Sequence, residues 1–286
     1  MAAPAFCAVL WLGRFPPWPT ILLAVATAFA AYTAVYALND LMGMQTDREK
    51  FAGSGINPGF AVEASPDRHP LAQRLLSVRS CVCWMGAWFV LALLGSYLLN
   101  PAIVLILLAA AVLEVVYCLL LKVTHLRTIL GGVVKTSGPI AAVFVVDHSP
   151  APFSLLLLFA WLFLWEIGGQ NIPSDWNDTV EDRRVNAKTV PIRFGFEIAG
   201  RLILTCLALS IVVSGFLPLV SPARLGLPYV AASLLVGYLL LLRPALRLHR
   251  SKDGRLAARL FDSASYYPLA QLSLVTLFLA AEFLGA

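Results

Sequence analysis

Apolar runs about twenty residues long recur from one end of this chain to the other, and no other property restricts its fold so sharply. A crossing of the hydrocarbon core takes about 20 apolar residues as a helix. Such runs fall at 18–42, 81–99, 101–121, 128–147, 153–172, 198–220, 226–245 and 262–284. Charged residues are only 13% of the chain, about half the share of an ordinary soluble domain. In lipid every backbone N–H and C=O must be satisfied within the structure, so helices or a closed barrel are the spanning solutions. No stretch alternates with the period of a barrel strand. The expected fold is all-α, a polytopic transmembrane bundle of eight to nine helices around a central cavity, built as one domain over residues 1–286. The segment 3–13 is too short to cross alone and is expected to form a stub. It ends in Arg14 and Pro16-Pro17, without the basic start or small-residue cleavage site of a signal peptide.

A net charge of +5 raises the question of a nucleic-acid partner, and its placement answers it. Threading the spans puts 43–80, 122–127, 173–197 and 246–261 on one side. With the bordering residues, that side carries eighteen of the twenty-one Lys and Arg; Arg14 and Arg224 lie opposite, and Lys135 lies within a span. By the positive-inside rule the basic side is cytoplasmic. The balance therefore reports topology in a cell's inner, or plasma, membrane, together with an anionic substrate, and predicts no nucleic-acid partner. Cys7, Cys81, Cys83, Cys118 and Cys206 fall in or beside spans with no zinc or redox spacing. They read as small packing residues.

Two polar segments interrupt the apolar background, and both open on the basic side. The first runs from Ala37 to Lys50 and carries Asn39, Asp40 and Asp47; the second runs from Gln170 to Thr189 and carries Asn171, Asp175, Asp178, Asp182 and Lys188. Asp40 and Asp47 are seven residues apart and share a face on a continued helix. Asp175, Asp178 and Asp182 follow an i, i+3, i+7 spacing. Like charges so arranged repel, and a hard cation such as Mg²⁺, which takes carboxylate oxygens and bridges to phosphates, would neutralise them. Arg68, Lys122, Arg127 and Lys188 lie on the same side and suit a diphosphate clamp, Arg as a fork and Lys as a point charge. Glu114, Lys135 and Glu166 lie in or near spans, where each charge costs about 2.5–3.5 kcal/mol on insertion scales. Glu114 shares a helix face with Tyr117, a placement open to two readings, a substrate contact or a structural Glu–Lys pair between helices.

These residues resemble the UbiA superfamily of intramembrane prenyltransferases. The family's Asn-Asp-x-x-Asp-x-x-x-Asp signature is matched by Asn39-Asp40-Leu-Met-Gly43-Met-Gln-Thr-Asp47, and its second Asp-x-x-x-Asp motif by Asp178 to Asp182, extended by Asp175. Lys188-Thr189-Val190-Pro191 with Gly195 resembles the family's continuation. Arg68-His-Pro70-Leu71 resembles its Arg-Pro-Leu segment, and Tyr117 to Lys122 its Tyr-Ser…Leu-Lys turn. Two features depart from the pattern: Gly43 replaces the middle Asp, and the first helix is a stub, leaving eight full spans against nine.

The resemblance implies a Mg²⁺-dependent enzyme acting on a polyprenyl diphosphate donor. Mg²⁺ held by Asp40, Asp47, Asp175, Asp178 and Asp182 would bind the diphosphate, with Lys122, Arg68 and Lys188 offsetting charge on the leaving group. Asn39, Tyr117, Arg127, Asn171 and Glu114 would line the substrate site. The allylic cation would then be attacked by an acceptor, expected to be aromatic and to belong to quinone or related isoprenoid biosynthesis. A secondary transporter would instead place its polar site near the midplane between internal repeats. An isoprenoid-binding relative without turnover is the reading that Gly43 keeps open.

Overall fold

A computed structural model of the chain describes residues 2–51 and 69–285. Among them every regular element is a helix. The order is α1 (Ala2–Leu12), α2 (Trp18–Phe51), α3 (Val78–Leu99), α4 (Pro101–Leu119), α5 (Arg127–Val146), α6 (Pro152–Trp165), α7 (Ile172–Asn177), α8 (Thr179–Arg184), α9 (Val190–Ser214), α10 (Gly226–Gly237), α11 (Arg243–Ser251) and α12 (Gly254–Gly285). A π-helical segment, Glu166–Asn171, joins α6 to α7, and another, Tyr238–Leu242, joins α10 to α11. Eight stretches are thereby long and apolar enough to cross a membrane, starting at Trp18, Val78, Pro101, Arg127, Pro152, Val190, Gly226 and Gly254. The eight expected spans are all present.

Local chemistry sets the helix ends. Asn100 stops α3 and starts α4: its side chain accepts from the Ala102 backbone N–H at 2.9 Å and donates to the Phe144 carbonyl at 2.9 Å. Pro101 follows at the first helical position, where its missing N–H costs nothing. Ser77 caps α3 by accepting from Ser80 N–H at 3.0 Å. The spans are longer than expected on the basic side: α2 continues to Phe51, α9 begins at Val190 and α12 at Gly254. Apolar content marks only what lies in hydrocarbon, whereas a helix runs on until its backbone pattern is broken.

The stub α1 is built into the bundle against α5 and α12. Phe6, Cys7 and Leu10 are fully buried, with the Phe6 ring 5.0 Å from Trp161. Trp161 in turn donates to the Tyr267 hydroxyl at 3.1 Å. The Trp11 indole donates to Asp147 at 2.9 Å, fixing the end of α1 at the membrane surface opposite the basic side. Large apolar side chains are exposed along the spans, Leu22, Val25, Phe29, Trp84, Leu94, Leu105 and Val112 among them. So large an apolar surface is a lipid contact.

Candidate functional site

The first acidic segment lies wholly within α2, so Asp40, Gly43 and Asp47 share one helix face. A Cβ added at Gly43 would stand 2.9 Å from Asp47 Oδ2. The segment 69–71 folds back on this face. Leu71 N–H donates to Asp40 Oδ2 at 3.3 Å, and the Arg48 guanidinium donates to the Leu71 carbonyl at 3.2 Å. That clamp brings His69 Nδ1 to 3.1 Å from Asp47 Oδ2 and 3.9 Å from Asp40 Oδ1. Each of the three contributes a donor atom, and these atoms lie within 4.8 Å of one another. Asn39 turns the other way: its amide donates to Glu114 Oε1 at 2.5 Å, with Cys118 Sγ at 3.6 Å. Glu114 is buried, so this hydrogen bond supplies a polar partner that a carboxyl group inside the bundle requires.

The second segment is more bent than its spacing implies. Pro173 lacks an N–H and its ring crowds the preceding turn. The backbone widens there into the π-helical Glu166–Asn171, the kind of bulge that recurs at functional sites. Gln170 leaves toward α12, donating to the Phe261 carbonyl at 3.1 Å. Asn171 goes toward α5, where a Cβ added at Gly131 would meet its Nδ2 at 2.5 Å and the Tyr117 ring at 3.0 Å. Asp178 has φ −90 and ψ 10, which breaks the continued stripe into α7 and α8. Asp175 and Asp182 are buried on either side of the break.

The two segments meet. Lys50, at the end of α2, places its ammonium 2.7 Å from Asp182 Oδ1, and the Arg184 guanidinium donates to the Lys50 carbonyl at 3.2 Å. Lys50 also lies within electrostatic reach of Asp178 and Asp47. Arg127, buried at the start of α5, stacks on Tyr117 with its guanidinium carbon 4.1 Å from the ring centroid and acts on both Asp175 and Asp182. One basic-side cluster thus holds carboxylates from α2, α7 and α8 with two cations among them. Deeper in the bundle Lys135 covers the Tyr36 ring at 4.8 Å, with Glu166, Glu114 and Tyr117 around it.

Two of the cations expected in a diphosphate clamp sit at the rim. Lys122 is paired with Glu49 at 2.5 Å, both side chains more than 40% exposed. The exposed Lys188 lines a depression with His125 and Arg193, and its backbone N–H donates to the Leu121 carbonyl at 2.7 Å. Arg68 lies outside the described residues. Lys50 and His69 were not singled out from the sequence. Lys50 carried a usable signal, since it stands three residues past Asp47 on a helix. His69 carried little, because loop spacing does not say which helix face the loop meets.

The carboxylates fit a divalent cation. Asp40 Oδ1 and Asp175 Oδ2 are buried and accept no hydrogen bond, a costly state for an acceptor unless positive charge stands nearby.

Comparison with solved structures agrees on the fold. The chain is similar to the apo structure of a UbiA homolog from Aeropyrum pernix K1, at 17% identity over 96% of each chain and TM-score 0.72. A structure of digeranylgeranylglyceryl phosphate synthase matches at 14% identity, over 97% of this chain and 91% of that one, with TM-score 0.69. A UbiA homolog from Archaeoglobus fulgidus, bound to DMAPP and Mg²⁺, matches at 14% identity over 96% of this chain and 95% of that one, with TM-score 0.68. No curated protein matches the chain. The model of the UbiA prenyltransferase family matches residues 1–275, and the chain belongs to that family.

Proposed function

We propose that this protein transfers a polyprenyl group from an allylic diphosphate to an aromatic acceptor, in quinone or related isoprenoid biosynthesis, with its polar mouth on the cytoplasmic side of a cell's inner membrane. The observation that carries the reading is the Lys50–Asp182 ion pair, which joins two acidic segments far apart in sequence. Asp40 and Asp47 on one side and Asp175, Asp178 and Asp182 on the other are the residues that would hold Mg²⁺. Bound there, Mg²⁺ supplies Lewis-acid stabilisation of the charge that develops on the departing diphosphate.

The chain's own side chains bind and orient. Lys50 and Arg127 are fixed cations among the carboxylates and favour a polyanionic ligand over water. Lys122 and Lys188 stand at the outer basic rim that draws the diphosphate in, and Arg68 is expected from the sequence to act with them. Breaking the allylic C–O bond leaves the electron pair on the diphosphate, and an electron-rich ring carbon of the acceptor closes on the resulting cation before losing its proton. Asn171 and Tyr117, packed against Gly131, and Asn39, held by Glu114, position the reacting groups below the diphosphate. The prenyl tail runs between helices into lipid-like surroundings. Support for an aromatic acceptor is the pair of rings in this region, Tyr36 covered by Lys135 and Tyr117 stacked by Arg127, which makes the surroundings of the site aromatic as well as basic.

Membranes carrying the protein, given Mg²⁺, allylic diphosphates of several lengths, and aromatic and glyceryl phosphate acceptors, test this by product mass. A prenylated aromatic is the expected product. A prenylated glyceryl lipid would replace the acceptor assignment, and absence of any product from every pair would contradict the reading.

A further inference from the structure

α2 presents Asp40 and Asp47 on one face with Gly43 between them, and the space beside Gly43 is where a third ligand would join them. A Cβ there would already be 2.9 Å from Asp47 Oδ2, so any side chain at 43 would enter the cluster. Glycine supplies no donor. The imidazole of His69 stands against the same two carboxylates, its Nδ1 3.1 Å from Asp47 Oδ2 and 3.9 Å from Asp40 Oδ1. Two ligands about 2.1 Å from one ion stand about 3 Å apart at a right angle and about 4.2 Å apart when opposite. The two separations from His69 Nδ1 fall in or near that range. The placement is held by two other contacts. Leu71, fully buried, ties its N–H to Asp40, and Arg48 ties the Leu71 carbonyl back to α2. Asp40 and Asp47 side chains are only 12% and 13% exposed, and Asp40 Oδ1 accepts no hydrogen bond.

We infer that His69 is a metal ligand of the first acidic segment, replacing with an imidazole nitrogen the oxygen donor that Gly43 does not provide. The inference rests on the metal site of the proposed function and adds a specificity to it. Carboxylate oxygens suit Mg²⁺ and Mn²⁺ alike, whereas an imidazole nitrogen among them is taken more readily by first-row transition ions such as Mn²⁺ and Co²⁺ than by Mg²⁺. This chain is therefore expected to take Mn²⁺ in preference to Mg²⁺ at its first segment.

The test is pulsed electron paramagnetic resonance of Mn²⁺ added with inorganic pyrophosphate to the detergent-purified full chain. Expected is a nitrogen modulation on the Mn²⁺ signal whose frequency changes when the wild-type chain is made with ¹⁵N-histidine, a measurement that needs no variant. In His69→Asn the amide keeps a hydrogen-bond donor near Asp47 but removes the imidazole. The modulation should vanish there, and Mn²⁺ should bind about tenfold more weakly or worse. Adding Gly43→Asp to His69→Asn should recover affinity without recovering the modulation. Mn²⁺ bound without nitrogen modulation, or with modulation that survives His69→Asn, overturns the assignment of His69 and leaves the proposed function standing. Mn²⁺ that does not bind the wild-type chain at all overturns both.

Discussion

Lys50 stands three residues past Asp47, and its ammonium lies 2.7 Å from a carboxylate of α8 whose side chain is only 3% exposed. Removing one partner of such a pair leaves an uncompensated buried charge, at a cost of about 3 kcal/mol or more. Lys50→Met should therefore lower the thermal midpoint of the purified protein, and Mg²⁺ with pyrophosphate should restore more of that loss than they add to the wild type. A detergent-based melting assay with and without the ions reads both effects. Asn39 offers a second test. Asn39→Ala removes the donor to Glu114, leaving a buried carboxylate oxygen short of a partner for about 1–3 kcal/mol. Asn39→Asp puts a like charge there and should destabilise further, so the same assay should rank Asp below Ala. At this scale the residue types of the site could be read from the sequence, but their partners could not. Glu114 was legible as a charge that needed company, whereas only the packing of α2 against α4 shows that the company is Asn39. Lys122 read as a clamp residue by its place in the chain, and in three dimensions Glu49 holds it at the rim.

Helices meet at the site through small residues, and Gly131 is the clearest case. Its missing Cβ leaves the room in which Asn171 from the π-helical segment and Tyr117 from α4 both approach α5. Gly131→Ala should push the two side chains aside and cost about 1–3 kcal/mol through overpacking. Because those side chains are proposed to position substrate, the variant should lose turnover beyond what its stability loss explains. Comparing product formation at a temperature where both forms are fully folded separates the two. Most elements were legible from the lengths of apolar runs, since hydrocarbon thickness fixes them. Helix ends on the basic side were not, because α2, α9 and α12 continue as wet helices past the last apolar residue. Nor were the π-helical segments: Pro173 marks a disturbance, and only the backbone shows that Glu166–Asn171 widens in place of breaking.

Across the whole molecule the alternation of spans puts the loops around 122–127, 177–190 and 251–254 at one end, and Gly13, Asn100, Asp147 and Pro222 at the other. Thiol labelling of a cysteine-free chain tests the orientation. A cysteine at Lys252 should react with a membrane-impermeant reagent only in opened or inverted membranes, and one at Ser149 should react in intact cells from outside. The reverse pattern would turn the site to the outer face. The eight-span bundle and its family were both readable from sequence, the first from hydropathy and the second from the paired acidic segments. That those segments touch through Lys50 was beyond it, because contact between distant stretches depends on how every intervening helix packs. The central claim, that the two segments form one metal-dependent diphosphate site, is tested most directly by release of pyrophosphate from an allylic diphosphate by the purified protein. Release should require Mg²⁺ or Mn²⁺, stop with chelator, and fall by at least about a hundredfold in Asp40→Asn and in Asp178→Asn alike. Full release by either variant, with the chain still folded in the membrane, would contradict the account.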